Sequence, residues 1–225
     1  MRLIVLPGLD GTGALSVPLC ARLGHSSTVE NIRLPDDLFR YEDLVRWLEP
    51  RLGSDDYAII AESFSGPLAI RLAATKPAGL KALVLVASFA QSPRRVPSIA
   101  ATLLYLLPAT SPRLIRMARW LLVSKWGAQD FPEAFAEIIR SVPKQTLVGR
   151  LREVLRASAF DALSAIQVPG LLVAASRDAL VPARMTTDFR KAGWAIEIVE
   201  GPHFLNLTRA EEVGDRIERF LARQV

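Results

Sequence analysis

The chain has 225 residues, a formal charge of +5, half of its residues hydrophobic and 7% aromatic. That length suits one domain with a sizeable core, and that composition excludes a disordered or fibrous chain. A single cysteine, Cys20, excludes an intramolecular disulfide and a thiolate metal site.

In chain order, the first apolar run, Arg2–Leu6, breaks at Pro7-Gly8 and meets Asp10, which predicts a buried strand instead of a signal peptide. Further strands are predicted at Thr28–Leu34, Tyr57–Ala61, Leu80–Ala87, Gly170–Ala175 and Ala195–Val199. Several are unbroken Val/Ile/Leu/Ala runs, the pattern of strands buried on both faces. Helices are predicted at Ala14–Leu23, Tyr41–Leu52, Gly66–Thr75, Pro182–Lys191, with Pro182 in its first turn, and Arg209–Arg223. This alternation reads as an α/β fold, a mostly parallel sheet of about six strands flanked by helices. Residues 91–158 interrupt it. They show no strand and read as helices punctuated by prolines, too long for a simple crossover. The expected organisation is a core of residues 1–90 and 159–225 with a helical cap at 91–158. No stretch approaches the ~20 apolar residues of a spanning helix, and a cytoplasmic protein is expected.

Four segments carry candidate chemistry. In Ala61-Glu62-Ser63-Phe64-Ser65 a buried strand runs into a serine with small residues two positions away on each side, and a helix follows. That is a nucleophile-elbow pattern, in which a tight turn tolerates nothing larger at those places. A serine there serves equally as a helix N-cap. Asp178, three residues past the Gly170–Ala175 strand, falls at the carboxyl edge of the sheet, where open α/β sheets collect functional groups; it serves equally as a loop carboxylate, and Asp161 is the reserve. His203, in Gly201-Pro202-His203-Phe204, follows the last strand. The other histidine, His25, lies in a polar turn and is assigned no role. Finally, Pro7-Gly8-Leu9-Asp10-Gly11-Thr12-Gly13 follows the first strand. Its glycines match neither a P-loop nor a dinucleotide fingerprint. An oxyanion hole suits it better, with backbone N–H groups at Leu9 and Phe64. The order Ser, Asp, His, each just past a buried strand, is the order of an α/β-hydrolase triad.

These segments resemble the corresponding motifs of the α/β-hydrolase superfamily, and are most similar to small bacterial esterases and to the hydrolase-like part of plant phytyl ester synthases. Ala61 and Ser65 stand where the family usually has glycines, and the chain starts at what would be the family's third strand. The resemblance implies Ser63 as nucleophile, Asp178 as acid, His203 as base, oxyanion donors at Leu9 and Phe64, and no cofactor. The expected activity is serine carboxylic-ester hydrolysis on a small acyl ester. An acyltransferase, a thioesterase on acyl-carrier substrates and a non-catalytic binding protein are the alternatives. Residues 91–158 hold eleven Lys and Arg against four Asp and Glu. Arg94, Arg95, Arg113, Arg116, Arg119, Arg150, Arg152 and Arg156 form either a solvated face or a surface for an acidic acyl carrier protein or an anionic membrane. Leu103, Leu104, Leu106, Leu107, Trp120, Leu121 and Leu122 are candidates for an acyl pocket or for packing within the cap. No nucleic-acid motif accompanies the basic charge.

Overall fold

The computed structural model describes residues 1–93 and 112–224. Its six strands are β1 (Arg2–Leu6), β2 (Thr28–Asn31), β3 (Tyr57–Glu62), β4 (Leu80–Val86), β5 (Gly170–Ala175) and β6 (Ala195–Val199). They form one sheet in the order β2-β1-β3-β4-β5-β6. Every recorded pairing is parallel, so the sheet expected to be mostly parallel is wholly so among the described residues. The helices, in chain order, are α1 (Val17–Leu23), α2 (Tyr41–Leu48), α3 (Ser65–Ala74), α4 (Pro112–Leu122), α5 (Phe131–Arg140), α6 (Lys144–Leu155), α7 (Phe160–Ser164), α8 (Thr186–Lys191), α9 (Leu205–Thr208) and α10 (Ala210–Leu221).

The two faces of the sheet explain the unbroken apolar runs. Ile4, Leu6, Ile59, Ala61, Leu83, Leu85 and Leu172 face one core, which α2, α3, α7 and α8 close with Leu44, Leu68, Leu163 and Phe189. Their neighbours Leu3, Val5, Ala58, Ile60, Val84, Val86, Leu171 and Val173 face the other, closed by Leu19 and Leu23 of α1 and by Val213, Ile217 and Phe220 of α10. Period-two alternation thus sends every second residue of the central strands to a different core, so both faces there are largely apolar.

Most boundaries shift by a few residues from the sequence reading, and three of the shifts have a clear local cause. β2 stops at Asn31, not Leu34. It is an edge strand, and beyond Ile32 the chain turns so that the Leu34 N–H donates to the Gly11 carbonyl. The second helix ends at Leu48 and continues as a short 3₁₀ turn, Glu49–Arg51, because Pro50 has no N–H for the helical ladder. Pro182 is extended (ψ 148°) and precedes a 3₁₀ turn over Ala183–Met185, so it stands ahead of the helix instead of in its first turn.

Between β4 and β5 the chain leaves and returns at a single neck. Gln91 and Ser158 form an isolated antiparallel bridge. The Ser92 N–H donates to the Ala157 carbonyl and the Ala159 N–H to the Ala90 carbonyl. Ile115 and Val123, with Phe131 and Phe135 of α5, pack on Leu15 and Phe204, residues of the loops after β1 and β6. Helices α4 and α5 are thereby fastened over the carboxyl edge of the sheet. Among the described residues no helix is long and apolar enough to cross a membrane. Arg94, Arg95, Leu103, Leu104, Leu106 and Leu107 lie outside the described residues.

The strand order also fixes where a ligand can enter. From β1 the chain crosses to β2 on one side and then to β3 on the other, so the loops after β1 and β3 diverge. Such a switch point opens a crevice at the carboxyl ends of the strands.

Candidate active site

Ser63 follows β3 immediately and has φ 46°. A non-glycine residue is rarely left-handed, and the strain is tolerated only where the surroundings hold it. They do so from both sides: the Ser63 N–H donates to the Val86 carbonyl at 3.0 Å, and the Ser88 hydroxyl donates to the Ser63 carbonyl at 2.7 Å. The latter approach needs Gly66, where a Cβ would lie 1.8 Å from Ser88 Oγ. Ala61 and Ser65 are both fully buried. Ser65 is more than a tolerated replacement for glycine, since its hydroxyl donates to the Pro7 carbonyl and ties the elbow to the loop after β1.

The turn aims the Ser63 hydroxyl at His203, with Oγ 2.8 Å from Nε2. His203 Nδ1 lies 2.8 Å from Asp178 Oδ2, and both side chains are almost wholly buried. Asp178 is held in turn by the Leu180 and Val181 amides, each 2.8 Å from Oδ1. With the Nδ1 proton facing a carboxylate, Nε2 is left to accept from Ser63. The three residues come from the loops after β3, β5 and β6 and meet at one rim. Asp161 stands exposed in the first turn of α7 and His25 in an exposed turn, outside this chain of hydrogen bonds.

Leu9 and Phe64, the two residues expected to supply oxyanion donors, both line the cavity that holds Ser63 and His203. Among the described residues no hydrogen bond engages either amide. The cavity has a volume of about 260 Å³, and α5 and α6 contribute Phe135, Ile139, Leu151, Val154 and Leu155 to its wall. Leu122 lines it as well, whereas Trp120, another candidate for an acyl pocket, is 69% exposed. Among the described residues Asp10 is the only acid at its wall, and no Lys or Arg lines it.

Two features go beyond the sequence reading. The first is Glu62, buried on β3 beside Ser63. Its Oε2 accepts from the Ser16 hydroxyl at 3.0 Å, and Asn206 Nδ2 lies 3.4 Å from the same hydroxyl. Burial pushes its carboxyl up to about 7, although Ser16 and His203 work against the rise. Burial opposes a charge on His203 too, but the Asp178 charge and hydrogen bond, helped by Glu62, outweigh it and leave the imidazole above its usual 6.5. Glu62 ionises on unfolding at about the ordinary carboxylate value of 4.5. Its contribution to stability is therefore fully present below pH 4.5 and lost as pH rises through 7. Glu62→Gln is expected to match wild type in urea unfolding at pH 4 and to be more stable by about 1–3 kcal/mol at pH 8. The same change should move the acid limb of any His203-dependent activity to lower pH. Equal stabilities at pH 8 would contradict the assignment.

The second is Arg150, assigned from sequence to a basic surface. The structure corrects that: it is 0% exposed. Arg113, Arg116 and Arg156 are exposed, while Arg119 and Arg152 are half-buried. Among the described residues no group of three His, Cys, Asp or Glu could hold a metal ion.

A doubly wound sheet with a left-handed serine elbow after β3, facing a histidine after the last strand, is the architecture of an α/β hydrolase. The model of the Alpha/beta hydrolase family matches residues 4–216, and the chain belongs to that family. A curated relative from Azorhizobium caulinodans, named for carbamate hydrolysis (RutD), is 26% identical over 151 residues. That match covers 64% of this chain and 57% of the relative's length. The fold is shared with the enol-lactonase of Burkholderia xenovorans LB400 (TM-score 0.84, 14% identity, 98% of this chain and 91% of that one). It is shared equally with an esterase of Exiguobacterium antarcticum (TM-score 0.84, 13% identity, 99% of this chain and 92% of that one).

Proposed function

We propose that this hydrolase is a serine carboxylesterase acting on neutral esters with short or medium apolar acyl chains. One observation carries the reading: the Ser63–His203–Asp178 chain, with both links at 2.8 Å, opens into an apolar cavity. Ser63 Oγ attacks the ester carbonyl carbon while its proton passes to His203 Nε2. Asp178 holds the imidazole and offsets the charge it gains. The Leu9 and Phe64 amides take the oxyanion, each donor worth about 3–4 kcal/mol in enzymes where one has been removed. Collapse of the tetrahedral intermediate breaks the C–O bond, and the alcohol leaves with the proton from His203. Water, deprotonated by His203, then attacks the acyl-enzyme and returns Ser63. Residues 91–158 serve as a cap whose helices wall the acyl site.

The cavity sets the substrate class. At about 260 Å³ it lies at the small end of ligand sites, and among the described residues no Lys or Arg lines its wall to meet a charged acyl group. A p-nitrophenyl ester series is expected to peak between butyrate and octanoate and to fall at palmitate. A chain ending in a carboxylate should turn over at least about tenfold more slowly than its neutral methyl ester, because no Lys or Arg among the described lining residues meets the buried charge. A flat profile, or a preference for the carboxylate, would contradict this substrate assignment. Adding a long-chain alcohol and assaying for transesterification separates hydrolysis from acyl transfer.

A further inference from the structure

We propose that Arg150 is the positioning residue of the oxyanion loop: it reaches from α6 and clamps the Leu9 and Asp10 carbonyls, holding the backbone that immediately follows the Leu9 amide. The inference rests on the acyl-transfer reading above. Arg150 Nη1 donates to the Asp10 carbonyl at 2.7 Å and to the Leu9 carbonyl at 3.2 Å. Nη2 donates to the Pro35 carbonyl at 2.8 Å and to the Leu38 carbonyl at 3.4 Å. The guanidinium carbon also lies 5.9 Å from the centre of the Phe64 ring. One side chain therefore touches both residues expected to supply oxyanion donors.

The chemistry of the clamp explains why an arginine stands here. A buried cation is costly, and among the described residues no carboxylate forms a salt bridge with it. An apolar residue of similar volume would fill the space without that cost. A planar guanidinium can instead serve several carbonyls at once, in directions a flexible ammonium cannot hold together. The loop is shaped to receive it: Gly11 has φ +77°, and a Cβ there would lie 2.1 Å from Nη1. The other end of the loop is fastened separately, by the Ser65 hydroxyl on the Pro7 carbonyl, and Asp10 accepts from the Thr12 amide within the turn that Arg150 holds. The segment carrying Leu9 is thus pinned on both sides. Leu151, Val154 and Leu155, on the same helix as Arg150, line the cavity, so substrate seating and oxyanion geometry share one element.

The test compares Arg150→Met and Arg150→Lys with wild type and with Arg140→Met, which removes an exposed cation from α5. In Arg150→Met, kcat for a p-nitrophenyl ester should fall about 10²-fold, as when an oxyanion donor is lost, with KM within about threefold. Affinity for a trifluoromethyl ketone, whose adduct on Ser63 carries the oxyanion, should fall in parallel. Amide hydrogen exchange over residues 8–13 should quicken at least about tenfold in the unliganded protein. Arg150→Lys should recover part of each loss, and Arg140→Met should show none. Should Arg150→Met fail to fold, the Lys variant carries the same comparisons. A folded variant with kcat within about threefold of wild type, or with unchanged exchange over residues 8–13, would overturn the proposal. Loop exchange that quickens in a protein hydrolysing no ester would uphold the clamp and defeat the acyl-transfer reading instead.

Discussion

Ser63→Ala is expected to lower kcat for p-nitrophenyl esters by on the order of 10⁶-fold, the scale seen when a serine nucleophile is removed from a working triad. Ser63 is the hydroxyl whose oxygen lies 2.8 Å from His203 Nε2 at the cavity wall. The neighbouring Ser65 is buried and committed to the Pro7 carbonyl, so it cannot substitute. Substrate binding should survive, because the apolar wall is untouched, and a competitive inhibitor should bind the variant with nearly unchanged affinity. Relief of the left-handed strain at φ 46° is not expected, since alanine meets the same backbone. Steady-state rates of purified variant and wild type check the prediction; loss of less than tenfold would contradict it.

Asp178→Asn carries the second largest effect, a fall in kcat on the order of 10⁴-fold. The environment leaves an amide no good orientation. The Leu180 and Val181 N–H groups both point at Oδ1, so the asparagine oxygen is drawn to that side and its NH₂ turns toward His203 Nδ1. A donor there forces the imidazole proton to Nε2, where it faces the Ser63 hydroxyl as a donor and cannot take its proton. The opposite rotamer sets the NH₂ against two backbone donors. Activity should therefore fall while circular dichroism stays that of wild type. The acid limb of the pH profile should move down, because the Asp178 charge that raises the His203 pKa is gone. Retention of kcat within tenfold would contradict the role of Asp178.

The meeting of Ser63, Asp178 and His203 was legible because each lies within four residues of the end of an apolar run read as a strand, and parallel strands deliver their carboxyl ends to one rim. The same logic placed β1, β5 and β6 at their observed boundaries. It failed at β2, where one-sided pairing gives way to a contact between Leu34 and Gly11 that no local pattern encodes. Arg150 was misread for a related reason. In sequence it is one of eleven basic residues in a charged segment, and only contacts with Leu9 and Asp10, about 140 positions away, reveal a buried clamp. Glu62 was visible next to the nucleophile, but its partner Ser16, and Asn206 that bonds Ser16 in turn, lie on other elements. Periodicity reports which side of an element is buried; it does not report which polar groups meet inside.

Covalent capture tests most directly whether Ser63 is a nucleophile activated by His203. Incubation with an alkyl fluorophosphonate followed by intact-mass and peptide analysis should show one phosphonyl group on Ser63, with fluoride released. The adduct should be absent in Ser63→Ala and strongly slowed in His203→Ala. An unmodified wild-type protein, or equal labelling of Ser63→Ala, would contradict the account.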